Sequence, residues 1–134
     1  MNMSVGFAET FRGDVKAWEC DVVEHFTVAY YYEKFEAAGW RFLRDHKVDP
    51  AKVRTIDCFT RYLAELRKGD LFHIETGLIK TGLRPVIAHK LYNSETGKLC
   101  TTMEQTLDGA ALTGSEVAWD GPAKEERSPA AASA

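Results

Sequence analysis

The spacing of hydrophobic residues predicts one long helix in the first half of the chain. From residue 28 onward, apolar side chains recur at steps of three and four, the spacing that lines one face of a helix. The residues in this series are Val28, Tyr31, Tyr32, Phe35, Ala38, Phe42 and Leu43. Thr27 stands just before the series, where a hydroxyl side chain favours the N-cap of a helix. The sequence therefore predicts a helix that begins at Val28.

The rest of the chain alternates apolar and polar residues, which is typical of strands with one buried face. The predicted strands cover residues 11–19, 56–66, 72–78, 83–93 and 99–107. The sequence Arg-Lys-Gly-Asp at 67–70 reads as a hairpin turn between the second and third of them. Pro85 places the fourth strand at an edge or a bulge, because proline cannot donate to a neighbouring strand.

This order of elements predicts a two-layer α+β domain. One strand comes first, then the helix, then a meander of about four strands, and a single helix has only that sheet on which to bury its apolar face. We expect the domain to cover residues 1–120. Residues 121–134 are small and polar without apolar periodicity, so we expect that tail to be disordered.

Composition narrows the classes of partner and compartment. The 134 residues carry a net charge of -3, whereas a nucleic-acid-binding protein needs a basic surface, so nucleic acid is not expected as a partner. The three cysteines, Cys20, Cys58 and Cys100, are an odd number without a CxxC pair. Free thiols suit a reducing cytoplasm, which is the predicted location, and such thiols most simply act as small apolar residues. The sequence contains no run of 18 apolar residues, so it predicts no membrane-spanning helix.

The segment before the helix has the composition of a reactive site. It brings Asp21, Glu24 and His25 close to a helix start, where backbone N–H groups have no intrahelical partner and carry partial positive charge. Such donors stabilise the oxyanion that forms when a carbonyl is attacked. A nearby carboxylate can attack that carbonyl or take a proton from water, and Asp21 is the candidate. An aspartate before a helix is nevertheless most often a cap or a turn former.

Two other groups of side chains suggest chemistry, but each has a simpler structural interpretation. His73 and Glu75 share one face of a predicted strand, and a solvated face is the favoured interpretation of this pair. The three consecutive tyrosines at 30–32 resemble a ligand cage. Helical spacing places their rings about 100° apart, so at least one of them should lie in the core.

Residues Asp21 to Tyr31, followed by Glu33, Phe35 and the sequence Glu-Ala-Ala at 36–38, resemble the 4-hydroxybenzoyl-CoA thioesterase-like family of hot-dog proteins. In that family an Asp is followed at a fixed distance by a Gly-His-(apolar)-Asn turn and a tyrosine-containing helix. Residues 62–70 and 95–99 resemble the family's later segments, and the similarity spans residues 15–108.

The resemblance implies a hot-dog fold, in which an antiparallel sheet of about five strands wraps a long central helix. It implies hydrolysis of acyl-CoA to carboxylate and CoA, without metal or cofactor, in a homodimer or homotetramer with active sites at subunit interfaces. Asp21 falls on the nucleophile or general base, and the backbone amide near Val28 falls on the oxyanion hole. Beside these two, we expect Glu24, His25 and Thr27 to contact the substrate.

Basic residues on the predicted hairpins are candidates for binding the CoA phosphates. These residues are Arg67, Lys68, Arg84 and Lys90.

Two departures from the family pattern keep alternatives open. Glu24 replaces the usual Gly, and Thr27 replaces the usual Asn. If the turn at residue 24 needs a positive φ, Glu is costly there, so we expect the loop to differ in shape from that of the family. This departure keeps open a non-catalytic hot-dog module that binds acyl thioesters. A second alternative is a cone-shaped α+β fold of the steroid-isomerase type, in which an Asp removes a proton beside a ketone. Such folds open with more than one helix, whereas this chain predicts a strand first.

Overall fold

The computed structural model describes residues 6–119 and 121, in which one helix packs on one five-stranded sheet. The helix, α1, spans Val28–Asp45. The strands are β1 (Ala8–Asp14), β2 (Arg54–Tyr62), β3 (Leu71–Lys80), β4 (Val86–Asn93) and β5 (Leu99–Asp108). Short 3-10 turns at Ala17–Glu19 and Pro50–Lys52 flank the helix. The predicted order of strand, helix and four strands is confirmed, whereas the predicted tail lies outside the described residues apart from residue 121.

The strands are antiparallel and lie in the order β1-β3-β4-β5-β2. The predicted hairpin at 67–70 is wrong, because β2 pairs with β5 at the far edge and only β3, β4 and β5 form a meander. After β2 the backbone N–H of Leu63 donates to Cys100 O (2.8 Å), and the chain then crosses to the helix start, where Phe26 N donates to Leu66 O (2.9 Å). Residues 67–70 instead form a local turn at the end of this crossover, where Asp70 N donates to Arg67 O (3.0 Å).

The helix buries the face that the sequence predicts, with two exceptions. Tyr31, Phe35, Ala38, Phe42 and Leu43 are buried, and complete burial of a side chain such as Phe35 stabilises the fold by about 2–3 kcal/mol. The prediction that one of the three tyrosines lies in the core is therefore confirmed.

The two exceptions are Val28 and Tyr32, which are exposed by 53% and 41%. Phe26 fills the core at the first turn instead, with its ring 4.5 Å from that of Tyr31. Tyr32 lies about 100° around the helix from Tyr31, and its hydroxyl is 3.4 Å from Thr60 Oγ1 on β2.

Three strand limits also differ from prediction. β1 lies earlier than 11–19, so that Trp18 falls in the 3-10 turn and is 72% exposed. β2 ends at Tyr62 rather than at residue 66. β4 begins only at Val86, directly after Pro85, and is the central strand, so of the two positions predicted for Pro85 the edge is wrong and a bulge fits. A register shift between Leu78 and Lys80 faces the start of β4.

The solvated face expected for His73 and Glu75 is wrong, since these residues are only 8% and 3% exposed. On the outer face of β3, the ring of Tyr92 stacks on His73 with ring centroids 5.4 Å apart. Farther along the strand, the segment after β5 lies against Gly77, and Val117 N donates to Leu78 O (2.8 Å). His73 Nδ1 lies 2.8 Å from Ser94 Oγ. Burial, together with the charge of Arg12, lowers the pKa of His73. This pair therefore belongs to the packing of the sheet.

The described helix is not long and apolar enough to cross a membrane.

Candidate active site

The loop between the first 3-10 turn and α1 is closed by its own backbone. Asp21 N donates to His25 O (3.0 Å), and Glu24 N donates to Asp21 O (3.0 Å). On its other side the loop is tied to the crossover after β2, where Lys68 N donates to Glu24 O (3.3 Å). These bonds give the five residues from 21 to 25 a defined shape at the helix start.

The Asp21 carboxylate is oriented by backbone donors of this loop. Its Oδ1 atom accepts from Val23 N (3.0 Å) and His25 N (3.1 Å). Among residues 6–119 and 121, the Oδ2 atom has no hydrogen-bond partner, and no basic group forms a salt bridge with the Asp21 carboxylate. The side chain is exposed in the single chain. Asp21 therefore has one oxygen held by the loop and one oxygen available.

The start of α1 has open donors. Thr27 occupies the predicted N-cap position but does not cap with its side chain. Its N–H and its hydroxyl both donate to Glu19 O, at 3.0 and 3.2 Å. Among the described residues, the N–H groups of Val28 and Ala29 therefore have no partner. Two donors at the positive end of the helix dipole are thus available to an oxyanion.

A buried ion pair, which the sequence did not predict, anchors this loop to the helix. Lys34 Nζ lies 2.8 Å from Glu19 Oε2, with side-chain exposures of 13% and 3%. Glu19 Oε1 accepts from Lys16 N (2.9 Å). Burial lowers the pKa of Lys34, but the hydrogen bond and charge of Glu19 outweigh burial and raise it overall. The pair holds Glu19 in place, and the carbonyl oxygen of Glu19 binds the Thr27 N–H and hydroxyl. The ion pair therefore positions the segment that leads into the helix.

His25 faces the crossover after β2. Its backbone forms an isolated bridge with Arg67. Its Nδ1 atom is 3.8 Å from Glu65 Oε2. The ring is thus placed beside the loop, and its role toward a substrate stays a prediction.

The three cysteines differ in how deeply they are buried. Cys100 is buried and Cys20 is partly buried, whereas Cys58 is exposed on β2, so the small apolar role expected of all three fails for Cys58. Burial raises the pKa of Cys20, and the charge of Asp21 raises it further. As expected, Cys20 is not an activated nucleophile.

Glu24 takes the left-handed conformation that favours glycine. Its φ is 63°, and its carboxylate is 3.2 Å from Lys68 Nζ in an exposed ion pair. The backbone at residue 24 therefore has the shape of a glycine turn although the residue is Glu. Glu24 bears the conformational cost of that shape.

Replacement of Glu24 by glycine should stabilise the protein. We expect Glu24→Gly to raise the free energy of unfolding by about 1 kcal/mol, because a left-handed residue with a Cβ costs about 1–2 kcal/mol and the exposed ion pair contributes little. Urea unfolding measures this change. Glu24→Ala is the control, since it removes the ion pair but keeps the Cβ. Equal stability of the glycine and alanine variants would contradict the conformational cost.

A cavity of about 160 Å³ opens between the helix and the β2 edge of the sheet. It is lined by Tyr32, Glu36, Thr55, Cys58, Met103 and Gln105. Tyr32 lies four residues into α1, about 6 Å along the axis from the helix start. Asp21 is not among the lining residues of this cavity, so the single chain does not join the loop and the cavity into one enclosed site.

The four basic candidates for phosphate binding lie in different places. Lys68 pairs with Glu24, and both Arg67 and Lys68 adjoin the Asp21 loop. Lys90 Nζ lies 4.4 Å from the centre of the Phe7 ring. Arg84 is 3.9 Å from Asp108. Among the described residues, no group of three or more side chains could hold a metal ion.

Comparison with known proteins gives a family and a fold. Residues 15–118 match the model of the Thioesterase-like superfamily. No curated relative matches the sequence.

Several solved structures have the same fold. A Staphylococcus aureus protein in complex with CoA has a TM-score of 0.70 and 19% identity, over 84% of this chain and 81% of that chain. DHNA-CoA thioesterase from Staphylococcus aureus has a TM-score of 0.68 and 16% identity, over 79% of each chain. A 1,4-dihydroxy-2-naphthoyl-CoA thioesterase from Synechocystis has a TM-score of 0.65 and 10% identity, over 81% of this chain and 85% of that chain. The predicted hot-dog fold is confirmed, and the steroid-isomerase alternative is excluded.

Proposed function

We propose that this chain, a thioester hydrolase of the thioesterase-like superfamily, acts on acyl-CoA. Asp21 is the nucleophile or general base of this proposal. The observation that carries this role is the pairing of a carboxylate with open donors. Asp21 Oδ2 and the N–H groups of Val28 and Ala29 have no partner among the described residues. They lie on one loop and the helix that this loop leads into.

The open amides would hold the thioester carbonyl oxygen. In the water-mediated route, Asp21 takes a proton from water while the hydroxyl oxygen bonds to the carbonyl carbon. The negative charge moves to the carbonyl oxygen, where the N–H groups of Val28 and Ala29 stabilise it. Collapse of this intermediate breaks the C–S bond, and the CoA thiolate leaves and takes up the proton.

In the direct route, Asp21 Oδ2 itself bonds to the carbonyl carbon and expels the thiolate. The resulting mixed anhydride is then cleaved by water, which returns the carboxylate. Both routes use the same pair of groups, and both consume one water for each thioester.

Four residues in or beside the loop would bind the rest of the substrate. Of the four basic candidates, Arg67 and Lys68 adjoin the loop, and they would contact the CoA part of the substrate. His25 and Thr27 would line the approach to the carbonyl. The structural neighbour solved with CoA supports a CoA thioester as the substrate class.

We propose that a second copy of the chain completes the site through β2. All nine residues of this edge strand are exposed or only partly buried, and they include Ile56 and Phe59, exposed by 41% and 52%. A strand edge with unpaired N–H and C=O groups readily pairs with another chain. Such pairing would cover the cavity beside β2 and enclose the helix starts from two subunits.

Charges on β2 should separate the subunits. We expect the double variant Ile56→Glu, Phe59→Glu to be a monomer with little turnover, because two copies of the strand would bring like charges together. Light scattering after size-exclusion chromatography measures the mass. Leu83→Glu, at a residue 81% exposed elsewhere, is the control and should keep the wild-type mass. A double variant that stays oligomeric would contradict assembly through β2.

A panel of acyl-CoA thioesters distinguishes the enzyme from the non-catalytic module. Release of free CoA, measured with a thiol reagent, should occur with at least one neutral acyl-CoA. Binding without release of CoA would favour the module. The feature that kept this alternative open, Glu24, no longer supports it, since Glu24 adopts the left-handed turn that the family's glycine needs.

A further inference from the structure

The edge strand β2 carries a self-complementary pattern of side chains on the outer face of the sheet. Cys58 lines the cavity on the helix side, so Asp57, Phe59 and Arg61, at alternate positions, point away from the helix. The acid lies two residues before the aromatic ring, and the base lies two residues after it. When two copies of a strand pair antiparallel about a two-fold axis, residues at equal distances from the axis face each other. An axis at Phe59 therefore places Asp57 of each copy opposite Arg61 of the other.

The three side chains are available for such contacts in the single chain. Phe59 is 52% exposed. Asp57 is exposed, and its carboxylate forms no hydrogen bond or salt bridge with residues 6–119 and 121. The Cζ atom of Arg61 lies 4.6 Å from the centre of the Phe59 ring, and Nη1 lies 3.7 Å from Glu104 Oε2. In the described part of the chain Nη1 has no hydrogen-bond partner, so the guanidinium group keeps donors for a second carboxylate.

Other positions of the axis match these side chains less well. With the axis at Cys58, Asp57 faces the aromatic ring of Phe59, and neither charge is paired. With the axis at Thr60, Phe59 faces Arg61, but Asp57 falls beyond the end of the other strand. An axis between two residues would place the two helices on opposite sides of the joined sheet, because residues that face each other in antiparallel strands point to the same side. Of these positions, the one at Phe59 pairs both charges.

We propose that two copies of the chain join through β2 with the two-fold axis at Phe59 and an ion pair between Asp57 and Arg61 on each side of it. This register rests on the proposed function, in which a second copy completes the site, and it fixes how that copy is placed. On the helix side, the same axis sets Cys58 of the partner subunit opposite Thr60. Thr60 Oγ1 lies 3.4 Å from the hydroxyl of Tyr32, which is about 6 Å along α1 from the helix start. The second copy therefore meets the site at this turn of the helix.

Exchange of the two charges tests this register. Asp57→Arg alone sets base against base, and Arg61→Asp alone sets acid against acid. Each single variant should therefore dimerise about tenfold to a hundredfold more weakly than the wild type, and should lose turnover where the monomer predominates. An equal mixture of the two variants should recover dimer mass and turnover, because both pairs in the heterodimer are opposite in charge. The double variant Asp57→Arg, Arg61→Asp should dimerise without a partner variant. Sedimentation equilibrium measures the dissociation constants.

Arg54→Asp is the matched control for these charge changes. It makes the same change of charge on the same strand, at a side chain that is 77% exposed. In the proposed register, residue 54 lies beyond the end of the partner's β2. The dissociation constant of this variant should stay within about twofold of the wild type, since a charge change away from the contact has a small effect.

A disulfide at the axis tests the register without a change of charge. Phe59→Cys, made together with Cys58→Ser, should give a disulfide-linked dimer under mild oxidation, because Cα atoms that face each other lie about 4.5–5.5 Å apart. The wild type should not link through Cys58, since the two copies of this residue lie diagonally, about 7–8 Å apart, beyond the span of a disulfide.

A wild type linked through Cys58 would overturn the register. So would single-charge variants that dimerise as the wild type does, or a mixture and a double variant that both stay monomeric while circular dichroism shows them folded. Failure of the register alone leaves Ile56→Glu, Phe59→Glu monomeric and almost inactive. If that variant stays oligomeric, or if it is a monomer with full turnover, the proposed function fails in its assembly instead.

Discussion

Replacement of Asp21 by asparagine should lower kcat for acyl-CoA hydrolysis on the order of a hundredfold or more, as expected when a positioned base or nucleophile is removed. Asparagine keeps an oxygen that can accept from Val23 N and His25 N, as Asp21 Oδ1 does. The loop should therefore keep its shape while the basic oxygen is lost. Steady-state kinetics with the most reactive acyl-CoA measures kcat, and circular dichroism confirms the fold.

Asp49 offers a matched control for this substitution. It is exposed and stands before a short helical turn, where its Oδ1 atom accepts from Ala51 N (3.0 Å) just as Asp21 binds Val23 N. Asp49→Asn should leave kcat within about twofold of wild type, since surface substitutions have small effects. A kcat of Asp21→Asn equal to that of the control would move the chemistry to another residue.

Removal of the Lys34 ammonium should cause the largest loss of stability. We expect Lys34→Met to lower the free energy of unfolding by about 3 kcal/mol, because Glu19, only 3% exposed, would keep a buried charge without its partner. Chemical denaturation in urea at pH 7 measures the change. Activity should fall as well, since the Glu19 carbonyl oxygen binds the Thr27 N–H and hydroxyl at the helix start.

The double variant Glu19→Gln, Lys34→Met separates the unpaired charge from lost packing. It should recover part of the stability, because no buried carboxylate remains. Arg41→Met is the control for an exposed pair, since Arg41 and Asp45 are 62% and 49% exposed and such pairs contribute less than about 1 kcal/mol. If Lys34→Met costs no more than Arg41→Met, the loop is not anchored by this pair.

The sequence predicts the helix well because its signal is local. Steps of three and four identify the buried face, and Thr27 marks the start, which the structure places at Val28 as predicted. The contact that the Thr27 side chain makes cannot be read from neighbouring residues. Its hydroxyl binds the carbonyl of Glu19, eight residues earlier, and the carboxylate of Glu19 pairs with Lys34, fifteen residues later.

Strand pairing and burial on the outer face depend on distant contacts. The turn at 67–70 has the composition of a hairpin, yet its flanking strands are separated because β2 pairs with β5, about fifty residues later. His73 and Glu75 follow the alternation of a half-exposed strand, but both are buried, and the ring of Tyr92 on the neighbouring strand stacks on His73. Periodicity along one strand carries no information about what packs on its second face.

The candidate site was found in two different ways. Asp21 was found from its resemblance to a family motif and from its place before a helix, and the structure adds the bonds that orient it. Gln105, which lines the cavity, and His89, which contacts it, carry no such signal, since each is one polar residue in a strand. Their partners lie 13, 16 and 50 residues away in the sequence, so only the folded sheet brings them together.

The most direct test is a crystal structure of Asp21→Asn with an intact acyl-CoA bound. We predict that the thioester carbonyl oxygen lies about 3 Å from the backbone nitrogen of Val28 or Ala29. We also predict that the side chain of residue 21 points at the carbonyl carbon, directly or through one water. A thioester bound away from the start of α1, with residue 21 turned from it, would contradict the account.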